Sequence, residues 1–367
     1  MTSPWFATQV WQEITELEQV GEALRHEERL GTTTAAVRDD FALLLRDRVR
    51  DLQELLTAGD DWAGLDLLRT RRIAPVKAAA LAVLEGILLR EHPFYRGITV
   101  AAEALLDALV DATGVGRGVL LSVADGERFE RMAGMVRMRF PDVGVWGLPI
   151  LVHELGHLVA DALPEPGDRN ARPVLIHLDR EDDRLLGELF ADVFATYALG
   201  PAYPCAVMTL RARPDRFDDA TPTHPSWDRR VWTMVASLRA IADQAADPLR
   251  AAGHRRAADQ VAQRWSTMNG LGTEPPKLAE RQARDLVDLL DRNAHERLRF
   301  DPLAGRDALV AALETGTLPP RSGPVAVVAA AWRWRLANPD VPPARLGRVS
   351  AAALRALDPE GAADAAA

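Results

Sequence analysis

Cysteine is almost missing from this chain. Cys205 stands alone in 367 residues, so no intrachain disulfide can form and no thiolate cluster can hold a metal. Any bound metal must sit on His, Asp and Glu. In its setting, "AYPCAVM", the cysteine reads as a small buried apolar residue. Net positive charge is missing too: 53 acidic residues against 44 Lys and Arg leave a formal charge of -9. That excludes nucleic-acid binding as the main function, because phosphate backbones are held by concentrated Lys and Arg. The short basic run from Arg69 to Arg72 reads as a solvated helix end. Long apolar runs are absent as well. The longest, "AAALAVLEGILL" at 78–89, is interrupted by Glu85 and falls short of the roughly 20 residues that cross a bilayer, so no membrane span is expected. The N-terminus lacks the basic start and apolar block of a secretory signal, which makes a reducing cytoplasm the expected compartment.

What remains is ordinary globular material, 48% apolar and 26% charged, in a chain long enough for two or three packed units. From Trp5 to Ala112 apolar residues recur at three and four, as in "FALLLRDRVRDLQELL", which predicts an N-terminal helical region over 1–112. Glycines then end the helical pattern, "VLLSV" has strand composition and "ADG" is a turn, so a short strand or hairpin is expected. The segment "FPDVGVWGLP" leads irregularly into a helix starting near Ile150, which Pro164 and Pro166 must stop. A loop with a short strand at "PVLIHL" follows, ending in acids suited to cap the next helix. That helix, "RLLGELFADVFATYAL", ends at Gly200 and Pro201. Residues 113–232 are expected to form the core of an α+β fold, mainly α with a small β-sheet, and 233–367 a C-terminal helical region.

The chemistry concentrates in "ILVHELGHLVADAL". On a helix, His153 and His157 lie one turn apart on one face, where both imidazoles reach a single cation. Glu154 is badly placed to be a ligand but well placed to act on a water at that cation. The pattern is H-E-x-x-H, known for zinc hydrolases. A second element follows 31 residues after His157: Glu188 and Asp192 are again i, i+4, in a helix apolar enough to be buried rather than to turn its acids to water. Two carboxylates on a buried face need a positive partner. Zinc on His153 and His157 supplies one, with Glu188 as third ligand and Asp192 accepting the free ring N–H of a ligand histidine. A third element, "ATPTHPSWDRRV", places His224 in a proline-bounded turn, where an imidazole outside the metal shell can donate to a developing oxyanion. Arg230, six residues on, could hold a carboxylate of the site or of the substrate.

The ordered set His153-Glu-Leu-Gly-His157, Glu188-Leu-Phe-Ala-Asp192 and Thr223-His-Pro-Ser-Trp-Asp-Arg-Arg230-Val resembles the gluzincin zinc metallopeptidases. Its last part is most similar to the CAAX-prenyl-protease-like branch. The match covers residues 150–232. The resemblance implies a zincin-like core with His153, His157 and Glu188 on Zn2+, Glu154 activating water, and His224 with Arg230 assisting substrate or transition state. Many such relatives are integral membrane proteins. This chain shows no span, so prenylated or membrane substrates do not carry over.

The sequence thus points to a soluble zinc metallopeptidase acting on a peptide or protein. Two other readings keep the zinc: hydrolysis of a non-peptide amide, since fold and ligands do not specify the acyl group, and a structural zinc in an interaction protein. The last suits the pattern least, because structural sites usually have four protein ligands and no use for Glu154. Substrate selection is expected from pocket walls and an edge strand within 119–148. The remaining histidines read as non-catalytic: His177 as a strand residue, and His26, His92, His254 and His295 as solvated. Trp332 and Trp334 read as packing.

Overall fold

A computed structural model describes residues 2–25, 32–91, 93–115, 120–124, 128–130, 135–139, 144–163, 185–270, 272, 274–303, 306–317 and 322–358. The fold is mainly helical, and the chain divides into two compact units: residues 1–96 with 117–140, and residues 97–116 with 141–367.

The first unit is built on α1 (Pro4–Arg25), α2 (Thr32–Ala58), α3 (Trp62–Leu68) and α4 (Ala74–Glu91). α1 buries Phe6, Val10, Ile14, Leu17 and Leu24, the stripe that a 3.6-residue period produces, and lays it against Phe41, Leu45 and Leu52 of α2. The basic run Arg69–Ile73 is one π-helical turn joining α3 to α4. It is not simply solvated. Arg69 pairs with Glu13 at 2.8 Å and Arg72 with Asp51 at 3.0 Å. Three strands are found among the described residues of the unit: β1 (Leu120–Ala124), β2 (Arg128–Glu130) and β3 (Met135–Arg139). β3 is central, parallel to β1 with Leu121 opposite Val136, and antiparallel to β2 with Phe129 opposite the same Val136. The expected strand near 120 therefore pairs in parallel with β3, and does not form a hairpin with the strand that follows it. β1 lies on α4 and α2.

That placement corrects the expected boundaries. Residues 113–232 are not one body, because the strands pack on the N-terminal helices while the histidine-bearing helix belongs to the second unit. The expected strand at "PVLIHL", His177 within it and the acids before the second helix lie outside the described residues, as do His26 and His92.

The second unit takes α5 (Pro93–Thr113) from Gly97 onward, then α6 (Leu148–Ala162), α7 (Leu186–Leu199), α8 (Ala202–Leu210), α9 (Trp227–Gln244), α10 (Pro248–Asn269) and α11 (Lys277–Leu298). α12 (Arg306–Thr315), α13 (Pro324–Ala337) and α14 (Pro343–Leu357) complete it. α6 starts two residues ahead of the expected Ile150, with Pro149 in its first turn, where a missing N–H costs nothing. α7 is buried from Leu189 to Leu199, as a helix apolar on all sides must be, and packs against α6, α8, α9 and α11. It ends at Gly200, whose φ of 58° favours glycine and whose missing Cβ leaves room for the Phe300 ring.

Candidate metal centre

The site is made where α6 crosses α7. Gly156, between the two histidines, faces Ala191, between Glu188 and Asp192. A Cβ on Gly156 would lie 2.7 Å from the Ala191 Cα. Only glycine permits this approach, and the approach brings the carboxylates of one helix to the imidazoles of the other. His153 Nε2 is 3.5 Å from Glu188 Oε2, and His157 Nε2 is 3.4 Å from Glu188 Oε1. One ligand atom from each of the three residues lies within 4.8 Å of the others. The two imidazoles stand nearly perpendicular, 85° apart. Glu154, next to His153, is also buried.

Beneath the histidines lies a layer of charge sealed from solvent. Asp192 is fully buried, and its Oδ1 is 3.0 Å from His153 Nδ1. Arg230 grips the same carboxylate with two parallel bonds, Nε to Oδ2 at 2.8 Å and Nη2 to Oδ1 at 2.7 Å, the bidentate geometry that suits a planar guanidinium. Trp227 covers that guanidinium, its ring 4.6 Å away. The helix that carries both begins at Ser226, whose side chain caps the Arg229 N–H, one turn before Arg230. Of the two partners open to Arg230 from sequence, the structure gives it the site's own acid. Arg230 is buried with its guanidinium on Asp192.

At the mouth stands His224, its side chain 55% exposed and its Nε2 3.9 Å from Glu188 Oε2. The turn that holds it is locked by its own hydroxyls. The His224 N–H donates to Thr221 Oγ1 at 2.9 Å, and Thr223 Oγ1 lies 2.9 Å from His224 Nδ1. Contacts thus link His153, His157, Glu188, Asp192, His224 and Arg230, and Glu154 adjoins His153 in the chain.

Electrostatics follow from burial and these contacts. Burial disfavours a charged His153, but the Asp192 and Glu188 carboxylates beside it outweigh that and lift its pKa to about 9. His157, half-buried and beside that cation, is pushed down to about 4 by desolvation and by the His153 charge. Burial alone would raise Glu188 and Asp192. Glu188 is instead held below the usual carboxylate range by the His153 imidazole beside it, and Asp192 far below it by Arg230.

Two features fit the residues to a metal ion. Glu188 Oε2 is buried without a hydrogen bond; the His153 imidazole faces it at 3.5 Å, and a metal ion between the two would take over the role of that charge. The Glu188 carboxylate also reaches both imidazoles, one oxygen toward each at 3.5 and 3.4 Å, and one ligand atom from each of the three residues can share a single cation within a 4.8 Å span.

Two contributors were not legible as such. Gly156 carried only a weak signal, a glycine inside an otherwise helical pattern. Tyr203, on α8, carried none: it donates to Asp192 Oδ1 and lies 3.0 Å from His153 Nδ1. His254, read as solvated, is 1% exposed and packs edge-on to Phe300. Cys205 is buried, and burial pushes its thiol up to about 12. No helix among the described residues is long and apolar enough to cross a membrane. No family model, curated protein or solved structure matches the chain.

Proposed function

We propose that this chain is a soluble, cytoplasmic zinc-dependent metallopeptidase with a zincin-like core, hydrolysing peptide bonds in a peptide or protein substrate. The observation that carries this reading is the pair of near-equal separations, 3.5 and 3.4 Å, between the Glu188 oxygens and the Nε2 atoms of His153 and His157. Two imidazoles and one carboxylate are a donor set that suits zinc and leaves a coordination position for water or substrate. Zinc, when bound, supplies a Lewis acid and makes water acidic enough to attack at neutral pH. Glu154 takes the proton of the attacking water and returns it to the leaving amine. His224 presents Nε2 at the open side and donates to the oxygen on which negative charge develops. Arg230 contributes through Asp192 alone. The same arrangement would serve hydrolysis of a non-peptide amide, which a peptide library separates.

A structural zinc has one specific observation in its favour: His224 Nε2 lies only 3.9 Å from Glu188 Oε2, close enough for a small movement to make it a fourth ligand. Two variants discriminate. Purified protein and Glu154→Gln should each hold about one zinc per chain, with turnover of a peptide library lost only in the variant. His224→Ala should keep its zinc and lose about 100 to 1,000-fold in kcat. Zinc released by His224→Ala would make the closed structural site the better reading.

A further inference from the structure

Tyr203 is one of three tyrosines in the chain, and the proposed hydrolysis gives it no task. It is 1% exposed, so it does not meet substrate. Its ring is within 10° of parallel with the His153 imidazole, and its hydroxyl touches both Asp192 Oδ1 and His153 Nδ1. We propose that Tyr203 is a positioning residue that fixes the tautomer and orientation of His153 for metal binding. The inference rests on the metal reading above and adds a part to it.

The argument is one of counting protons. Asp192, ionised and gripped by Arg230, can only accept hydrogen bonds. The phenol has one proton, and it goes to Asp192 Oδ1. Its oxygen is then free to accept, and the donor 3.0 Å away is the Nδ1–H of His153. Asp192 Oδ1 stands at the same 3.0 Å from Nδ1, but it already accepts from Arg230 and from the phenol. The hydroxyl therefore takes a share of a bond that the carboxylate alone would have to make. With Nδ1–H held by the hydroxyl and Asp192, the proton that a metal displaces is the one on Nε2, which faces Glu188, and the freed lone pair is the form a metal needs. Reversing the phenol would strip Asp192 of a donor and leave the remaining N–H on Nε2, where the cation should bind.

Tyr203→Phe keeps the ring and removes the hydroxyl. Zinc affinity, measured by chelator competition, should fall about 10 to 100-fold, as for other partners of ligand histidines. A merely structural role could also weaken binding, so two further readouts decide. In 15N-labelled protein the His153 Nδ1–H resonance should be observable in wild type and should shift and exchange faster with water in Tyr203→Phe. Combined with Asp192→Asn, the loss of affinity should be smaller than the sum of the single losses, because both changes act on one imidazole. An unmoved resonance with unchanged affinity overturns the proposal, as does full additivity in a folded double variant. The resonance is to be followed with and without zinc. A wild type that takes up no zinc defeats the metal reading, and the metal-free spectrum of Tyr203→Phe still decides whether Tyr203 holds His153.

Discussion

Asp192 and Arg230 show how much of the proposed site can rest on residues closed to solvent. Both are buried, and each is the other's countercharge. Such a pair adds little stability over a well-packed apolar pair, yet removing one partner leaves an uncompensated charge in the interior. Arg230→Leu should therefore lower the unfolding free energy of metal-free protein by up to about 3–5 kcal/mol, read from urea titration, the charge of His153 at Asp192 Oδ1 offsetting part of the loss. A loss below about 1 kcal/mol would mean that His153 or entering water balances Asp192 without Arg230. At this scale the sequence was informative where two residues share a helix face. His153 with His157, and Glu188 with Asp192, follow from i, i+4 spacing. It was uninformative where partners come from elsewhere. Arg230 had two possible acids, and only the fold selects Asp192. His254 was misread because its neighbours Arg255 and Arg256 point elsewhere on α10. The buried stripe Ala251, His254, Ala258, Val261 and Trp265 was present in the sequence as a period of three and four.

Between elements, the distance from α6 to α7 decides whether there is a site at all. The crossing at Gly156 and Ala191 allows no Cβ on the first helix, and the carboxylates reach the histidines only because the backbones touch there. Gly156→Ala gains intrinsic helix propensity, roughly 1 kcal/mol in favour, but must push α7 away. Overpacking of this kind costs about 1–3 kcal/mol. The expected result is a net destabilisation of up to about 2 kcal/mol together with a loss of zinc affinity, since Glu188 and the histidines separate. A variant of raised stability and full affinity would show that α7 moves aside without cost. The helices themselves were legible, from apolar periodicity and from the stops at Pro164, Gly200 and Pro201. Their closeness was not, because the spacing of residues along one helix says nothing of what lies across from it. Tyr203 escaped for the same reason. It sits on a third helix, eleven residues past Asp192, and no motif joins the two.

Over the whole chain, the three proposed ligands come from one compact unit, residues 97–116 with 141–367. The C-terminal helices belong to that unit and help to hold the start of α6. Ser350 of α14 accepts the Val145 N–H at 3.0 Å. Trp146 meets Trp332 edge-on and stacks with Trp334, both of α13, while Arg335 lies over the rings of Trp146 and Trp332. Composition could place helices in 233–367 but could not assign them this work, since the contact between Val145 and Ser350 spans 205 positions. The strands pack on the N-terminal helices of the first unit, a partnership that nearness in sequence does not reveal. This division makes a calorimetric test possible. Zinc that binds the folded second unit and not its unfolded form stabilises it by about 2.7 kcal/mol at a free concentration of 100 times Kd. For a unit of this size, that is a rise in midpoint of roughly 5–10 °C. If the units unfold separately, the transition of the first should stay in place while that of the second rises with zinc and falls back with EDTA. A single transition that shifts as a whole would show the two units coupled. Midpoints indifferent to both zinc and EDTA would remove the metal from the folded state of His153, His157 and Glu188.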